Sequence, residues 1–187
     1  DTLEYFNQID HYEKNVMLQN LNTDEVTNQF PNWNKNKTWY WNWLFAQTSN
    51  YTFQIDNLYR NKLAKLFVKY VSGGSNVAAN AHNLSLRLDG IRIDSQSVDR
   101  NKQVLLKGIV NSNSLKEGAN QLLVTNANNG TNPNFLALDW YEIEYPKQLV
   151  AQNDSLIFII DEALDRKVRA VKVKNVSTSN VVLYKVK

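Results

Sequence analysis

The sequence predicts an all-β protein, a jelly-roll-like antiparallel β-sandwich of about eleven strands. Three observations support this fold class. Apolar residues recur at every second position along most of the chain, which is the spacing that places alternate side chains on one face of a strand. Polar turns rich in Asn, Asp and Gly separate these runs. No stretch keeps apolar residues three and four positions apart over a dozen residues, so a single helical turn is expected, over 162–166.

In the N-terminal half, the alternation predicts strands over 3–12, 16–21, 38–45, 51–55 and 64–71. The strand at 38–45 has the clearest pattern, because aromatic side chains occupy every second position from Trp39 to Phe45. The polar segment 28–37 precedes it and contains Pro31, which favours a loop.

In the C-terminal half, we expect a hairpin over 84–93 that turns at Asp89 and Gly90, a dipeptide typical of type I′ turns. Further strands are predicted over 104–110, 121–125 and 136–145, then two short ones within 149–160, and two more over 168–176 and 181–186. Pro146 is expected to end the strand at 136–145, and alternation there puts Leu138 on one face with Trp140. No Pro- or Ser-rich linker divides the chain, so residues 1–187 are predicted to form one domain.

The composition excludes several classes of function. The chain has no Cys, which removes thiol nucleophiles, Cys-ligated zinc, iron–sulfur clusters and disulfides. It has two histidines, His11 and His82, so we predict no metal site. With 21 Lys and Arg against 18 Asp and Glu, the charge is too balanced for a nucleic-acid binder, and no apolar run is long enough for membrane insertion.

The aromatic residues supply the candidate binding sites. Trp39, Trp41 and Trp43 share one strand face and are predicted to be core residues; the alternative is a flat platform on which sugar rings stack. Trp33 differs, because it lies in a polar segment where no alternation would bury it. It is our one candidate ligand-binding residue, and the alternative is an anchor that packs the loop on the rim of the sandwich.

The charged residues supply no predicted catalytic residue. His11 and Glu13 share a strand face and are predicted to be a hydrogen-bonded structural pair; the alternative is general acid–base chemistry. Glu142 and Glu144 also share a face, as the carboxylates of a glycosidase would require. A free-standing enzyme would need a concave pocket lined by at least two of five residues: His11, Glu13, Asp139, Glu142 and Glu144. His82 is predicted to be a solvated loop residue.

Asp89, Asp94 and Asp99 lie in or near predicted turns. We expect them to cap those turns, since their spacing matches no calcium loop, and we therefore predict no cofactor. A structural calcium ion is the alternative, because such carboxylates and loop carbonyls are typical calcium ligands.

Five short stretches occur in a recognisable order. They are His11-Tyr12-Glu13-Lys14-Asn15, Trp39-Tyr40-Trp41-Asn42-Trp43, Leu86-Arg87-Leu88-Asp89-Gly90, Leu115-Lys116-Glu117-Gly118-Ala119-Asn120 and the run from Leu138 to Pro146. Together they resemble the β-sandwich region that precedes the catalytic domain in gingipain-like cysteine peptidases of Bacteroidetes, including the sortase-like proteins of type IX secretion.

The resemblance implies a non-catalytic accessory module of a larger exported protein, secreted or at the bacterial cell surface. Its partners would be an adjacent peptidase domain of the same polypeptide and a protein or glycan ligand. The family's Cys nucleophile has no counterpart here, and we expect the reading frame to continue beyond Lys187 into a domain that contains it. A carbohydrate-binding module of a secreted protein is the alternative, because the chain has five Trp and a sandwich architecture.

Overall fold

A computed structural model describes residues 2–18, 39–74, 79–128, 134–160, 170–178 and 180–182. These residues form thirteen strands and one short 3-10 helix, Ser112–Ser114. The strands are β1 (Thr2–Leu3), β2 (Tyr5–Glu13), β3 (Met17–Leu18), β4 (Trp39–Tyr40), β5 (Trp43–Leu44), β6 (Thr48–Ile55), β7 (Leu63–Gly74), β8 (His82–Leu88), β9 (Ile91–Val98), β10 (Gln103–Asn111), β11 (Gly118–Asn128), β12 (Asn134–Gln148) and β13 (Ala170–Val171).

The eight long strands form two antiparallel sheets with jelly-roll connectivity. One sheet has the order β10-β7-β12-β2, and β5 also pairs with β12; the other has the order β6-β11-β8-β9. If the long strands are counted one to eight along the chain, the orders are 6-3-8-1 and 2-7-4-5, so consecutive strands mostly alternate between sheets, as in a jelly roll. The predicted fold class is confirmed.

The core lies between the two sheets, and both sheets contribute alternate residues to it. Phe53, Leu86 and Leu122 come from the four-stranded sheet, and Leu66 and Ile143 from the five-stranded sheet; all are buried in one apolar cluster. Burial of this kind stabilises the fold by about 25 cal/mol for each Å² of apolar surface removed from water.

The turns account for part of the abundance of Asn. Asp89 and Gly90 have φ angles of 45° and 88°, which confirms the predicted type I′ turn between β8 and β9. Seven other non-glycine residues of the described chain have positive φ, and six of them are Asn. Asn tolerates this left-handed region better than most residues do, because its short side chain can hydrogen-bond locally.

The expected end of β12 at Pro146 is wrong, since the strand continues to Gln148. Pro146 lies opposite Asn7 of β2, and its carbonyl accepts a hydrogen bond from Tyr59 N on the other side of β12. The ring nitrogen therefore also points to that side, where the pairing with β7 has already ended at Glu144. No ladder hydrogen bond is lost.

Several other predicted elements need correction. The segment 149–160 contains the isolated bridges at Val150, Gln152 and Ser155 in place of two strands, because its apolar residues pack beneath Leu3 and Phe6 without ladder partners among the described residues. The predicted strand at 168–176 is reduced to β13. The helical turn at 162–166 lies outside the described residues. In the ranges that the structure describes, no helix is long and apolar enough to cross a membrane.

Candidate functional site

The outward-facing surface of the five-stranded sheet holds the main cluster of chemically active side chains; we call it the outer face. The strand register arranges them in rows across β2, β12 and β7. The first row is Glu13, Trp140 and Lys69, the second is His11, Glu142 and Phe67, and the third is Ile9, Glu144 and Lys65. Residues far apart in the sequence become neighbours because each strand presents every second side chain to this face.

His11 lies between two carboxylates on the outer face. Its Nδ1 is 2.7 Å from Glu142 Oε1, and its Nε2 is 3.3 Å from Glu13 Oε2. The His11 ring also lies against Trp140, with the ring centroids 5.6 Å apart. The predicted hydrogen-bonded pair of His11 and Glu13 is confirmed, and Glu142 joins it from the neighbouring strand.

The charge of His11 follows from these contacts. Desolvation lowers the pKa of the imidazole, but the hydrogen bonds and charges of Glu142 and Glu13 outweigh it, and the net pKa is raised above its usual value. Both ring nitrogens carry hydrogens only in the imidazolium form, so that form donates one hydrogen bond to each carboxylate. The site therefore holds a proton more tightly than a free histidine does.

Asp139 lies behind the outer face, at a β-bulge. The register between β12 and β7 shifts between Leu138 and Trp140, so Asp139 is the extra residue and is buried. Its Oδ2 is 3.4 Å from Lys69 Nζ. Burial, followed by the charge of Asp139, raises the pKa of the buried Tyr40 hydroxyl to about 12.

The bulge also corrects the predicted faces of β12. Leu138 is buried in the core, whereas Trp140 lies on the outer face, so these two residues do not share a face as expected. An extra residue reverses the alternation along the rest of a strand, because the side-chain period is two.

A groove lies beside β2. It has a volume of about 280 Å³. The residues that line it are Leu3, Tyr5, Phe6, Asn7, Ile9, Glu144, Ile159 and Ile160. Of the five residues in the enzyme hypothesis it contains Glu144, and that carboxylate is bound by Lys65 Nζ at 2.9 Å and Asn7 Nδ2 at 3.2 Å. This groove does not meet the requirement for two of the five.

The predicted tryptophan stripe divides between the core and the surface. Trp39 and Trp43 are exposed, at 47% and 37%, so the interpretation of both as core residues is wrong. Trp41 is half-buried against Tyr51 and Tyr141. Tyr40 and Leu44, at alternate positions, are buried instead. The chain bends at Trp41, and two short strands replace the expected long one.

Trp43 belongs to a surface cluster of aromatic rings. Its ring stacks on Phe135 at 5.5 Å and meets Phe45 edge-on at 5.6 Å. Phe135 in turn lies over Gly73, where a Cβ would come within 2.5 Å of the Phe135 ring. We call Trp43, Phe45 and Phe135 the aromatic cluster. Trp33, the predicted ligand-binding residue, lies outside the described residues.

The three aspartates of the calcium alternative bind backbone amides. Asp89 accepts a hydrogen bond from Gln121 N at 3.2 Å, and Asp99 accepts one from Asn80 N at 2.8 Å. Asp94 accepts one from Lys107 N at 2.9 Å. Asp89 lies in a turn as predicted, but the amides that Asp89 and Asp99 bind belong to β11 and to the turn at Asn80, and Asp94 lies within β9, so these contacts do not cap the residues' own turns. Among the described residues, no three His, Cys, Asp or Glu side chains form a metal site.

His82 is buried in β8, so the prediction of a solvated loop residue is wrong. Its Nδ1 is 3.3 Å from Asn126 Oδ1. Desolvation lowers the pKa of this imidazole, against smaller opposing effects of Asn126 and the Gly73 backbone. His82 follows the same alternation as Leu84 and Leu86, which is the signal that could have placed it inside.

No family model matches the sequence, and no curated protein matches it. A crystal structure of dimeric latent PorU from Porphyromonas gingivalis resembles this protein, with a TM-score of 0.56 and 14% sequence identity. The match covers 80% of this chain and 13% of the PorU chain, so this chain spans a small part of PorU. It supports the sequence resemblance as far as a related fold, and assigns the chain to no particular region of PorU.

Two carbohydrate-binding modules resemble the protein more weakly. One is the CBM36-1 domain of a multidomain xylanase from the hindgut metagenome of Trinervitermes trinervoides, with a TM-score of 0.38, 10% identity, and coverage of 54% of this chain and 74% of that one. The other is a CBM36 module in complex with calcium and xylotriose, with a TM-score of 0.37, 13% identity, and coverage of 54% and 77%.

Proposed function

We propose that this chain is a non-catalytic accessory β-sandwich module of a gingipain-like cysteine peptidase, and that it positions a substrate or a secretion partner. The observation that carries the proposal is the jelly-roll fold shared with part of PorU over 80% of this chain. The ordered sequence stretches that resemble such peptidases support it independently. An exported location, secreted or on the outer surface of a bacterium, is part of the same proposal.

The chemistry of the chain favours a supporting role. It has no Cys, hence no thiol nucleophile, and His11 is already held by two carboxylates on an open sheet face. An open, polar and aromatic face of this kind suits contact with a polypeptide better than enclosure of a reacting bond. Chemistry would then belong to an adjacent peptidase domain, which supplies the Cys.

The first test is the complete reading frame, which should encode a domain with His and Cys beyond residue 187. The full polypeptide is then purified, and an iodoacetamide fluorophore should label one reactive Cys of that domain. In the full polypeptide, Glu142→Arg on the outer face should lower kcat/KM for an unfolded protein substrate and leave hydrolysis of a short peptide ester unchanged.

Arg92→Glu is the matched control, because Arg92 is exposed on β9 of the other sheet. It should leave both activities unchanged. A reading frame without a Cys-containing domain would overturn the proposal, as would equal activity of the Glu142→Arg and wild-type proteins on the protein substrate.

A second candidate function, carbohydrate binding, is favoured by the exposure of the aromatic cluster. Sugar rings stack on exposed indoles because both surfaces are partly apolar. In affinity electrophoresis through soluble xylan and other polysaccharides, wild-type protein should be retarded and Trp43→Ala and Trp33→Ala should migrate freely. Trp140→Ala, on the outer face, is the control and should remain retarded. Equal migration of all proteins in every polysaccharide would end this candidate.

A further inference from the structure

The backbone of β2 faces outward along one side of the five-stranded sheet. β2 is the outermost strand of this sheet, and no strand of the described residues pairs with its free edge. Two hydrogen bonds on the far side of β12 fix the direction of its backbone groups. Tyr59 N donates to Pro146 O at 2.9 Å, and Gln148 N donates to Asn57 O at 2.7 Å. Pro146 and Gln148 therefore direct their backbone groups away from β2.

The ladder register then identifies the outward-facing residues of β2. Backbone direction alternates along a strand, so the residues of β2 opposite Pro146 and Gln148 point away from β12 as well. These residues are Asn7 and Tyr5, and alternation adds Ile9 and His11. We call these four residues the β2 edge; it is about 20 Å long at a rise of about 3.3 Å per residue.

Two other sheet edges receive hydrogen bonds from side chains. At β10, Lys107 N donates to Asp94 Oδ2 and Gln96 Nε2 donates to Leu105 O, both at 2.9 Å. At β6, the Tyr141 hydroxyl donates to Thr52 O at 2.9 Å. Proteins usually protect edge strands in such ways, since unpaired backbone groups otherwise bind another strand.

The β2 edge also has little side-chain protection. In the described part of the chain, a single side-chain hydrogen bond reaches it, from Gln8 Nε2 to Ile9 O at 3.2 Å. β2 contains no Pro, no Lys and no bulge, each of which can block an edge. Within the part of the chain that the structure describes, the backbone groups of this edge are therefore accessible to an additional strand.

Apolar side chains flank this open edge. The groove described above lies between β2 and the segment 156–160, with Ile9 on one side and Ile159 and Ile160 on the other. Ile9 and Ile159 are 58% and 81% exposed. A strand that binds here would bury apolar surface in addition to its backbone hydrogen bonds.

The negative charge near the β2 edge favours an added strand that carries a basic side chain. β2 carries Asp10 and Glu13 and no Lys or Arg, and Glu142 adjoins His11 on the outer face. On an added strand, a basic side chain beside His11 would lie next to Glu13, and Glu142, two strand spacings or about 10 Å away across His11, would attract it from a longer distance. The cation that a second copy of β2 could supply is its own His11, which two carboxylates already hold, so pairing between two copies of this chain is disfavoured.

We infer that the β2 edge binds an extended segment of a partner polypeptide by strand addition. The segment carries a Lys or Arg beside His11 and, two positions along, an apolar residue beside Ile9 in the groove. Two positions separate these residues because both must project to the outer face. Binding at the β2 edge needs no catalytic domain. This inference can therefore be tested independently of the proposed role in a peptidase.

The test uses the ¹⁵N-labelled chain and the peptide acetyl-Thr-Val-Thr-Val-Thr-Lys-Thr-amide, observed by NMR. Binding should protect the amide hydrogens of Asn7, Ile9 and His11 from exchange. In the bound peptide, the N–H groups of alternate residues point toward the β2 edge and those of the residues between them point away. N-methylation of the first set removes the hydrogen bonds to the edge and should weaken binding at least about tenfold. N-methylation of the second set should leave binding unchanged. Replacement of the peptide Lys by Glu should also weaken binding.

Ile9→Pro tests the protein side. It removes an N–H that points away from β12, so the ladder to β12 is kept, but peptide binding should fall at least about tenfold. Ile9→Val, which keeps the N–H, is the matched control and should bind as the wild type does. Absence of peptide binding, equal effects of the two methylation sets, protection at other amides, or a dimer through β2 in light scattering would each overturn the inference.

Discussion

The hydroxyl of Tyr141 should stabilise the fold measurably through one hydrogen bond. It donates to Thr52 O at 2.9 Å and so joins the five-stranded sheet to the free edge of β6. Tyr141→Phe removes that bond and keeps the ring, which stacks on Tyr12 with the centroids 4.7 Å apart. No cavity forms, so the change in the free energy of unfolding reports the hydrogen bond alone.

The expected loss is about 1 kcal/mol, the usual net value of a neutral hydrogen bond. A larger loss is not expected, since Thr52 is exposed and water can reach its carbonyl in the variant. Urea unfolding followed by tryptophan fluorescence should show a lower midpoint with an unchanged m-value. The melting temperature should fall by about 2–4 °C, as expected for a domain of this size.

Tyr5→Phe is the matched control. The Tyr5 ring stacks on Tyr59 at 4.6 Å, but its hydroxyl makes no hydrogen bond with the described residues. Its unfolding free energy should stay within about 0.5 kcal/mol of wild type. Equal unfolding free energies of Tyr141→Phe and Tyr5→Phe would refute the reasoning that the Tyr141 hydroxyl stabilises the fold through its bond to the free edge of β6.

Three further predictions concern the two histidines, the turn at Gly90 and the edge of β10. The pKa of His11 is raised, so its stabilisation is complete below pH 6.5 and lost as pH rises through the folded pKa; the pKa of His82 is lowered, so its stabilisation is present above pH 6.5 and lost as pH falls. In urea unfolding from pH 5 to 8, His11→Gln and His82→Gln should therefore change the pH slope of stability in opposite directions, and parallel curves would contradict both assignments. Gly90→Val should cost about 1 kcal/mol in urea unfolding through backbone strain at φ +88°, where no neighbour lies within 4 Å, and no loss would show that the turn relaxes. Asp94→Ala should speed hydrogen exchange of the Lys107 amide by about tenfold, and an unchanged rate would show that this bond does not protect the edge.

The period-two pattern predicted most of the long strands because it reports a local property. It could not report which face of a strand is buried at 39–45, since that depends on the partner strand. Leu44 lies opposite Leu136, a core residue, and Trp43 lies opposite Ala137 on the other face of β12. The large apolar area of Trp favoured the prediction that Trp43 is a core residue. The pairing of β5 with β12 places Leu44 in the core instead.

The bulge at Asp139 marks a second limit of local patterns. Up to Leu138 the even-numbered residues of β12 face the core, and from Tyr141 onward the odd-numbered residues do. In the run from Leu136 to Tyr145, either the even-numbered or the odd-numbered residues could face the core. The sequence pattern therefore does not reveal the extra residue of the bulge. The sequence alone does not show that the Asp139 carboxylate is buried. Asp139 meets its partner Lys69 only when β7 and β12 have assembled.

The outer-face cluster and the open edge involve the same residues of β2, and geometry requires this. Side-chain face and backbone direction both alternate with a period of two along a strand, so Asn7, Ile9 and His11 present their side chains to the outer face and their backbone groups to the edge. A strand added to the edge would place its own outward side chains beside Ile9 and His11, with Glu142 one strand further away on β12. Affinity from the backbone and specificity from the carboxylates would thus arise together, although Ile9→Pro and Glu142→Arg should perturb them separately. The local sequence of β2 contains both sets of groups, but its position at the edge depends on its pairing with β12, about 130 residues away.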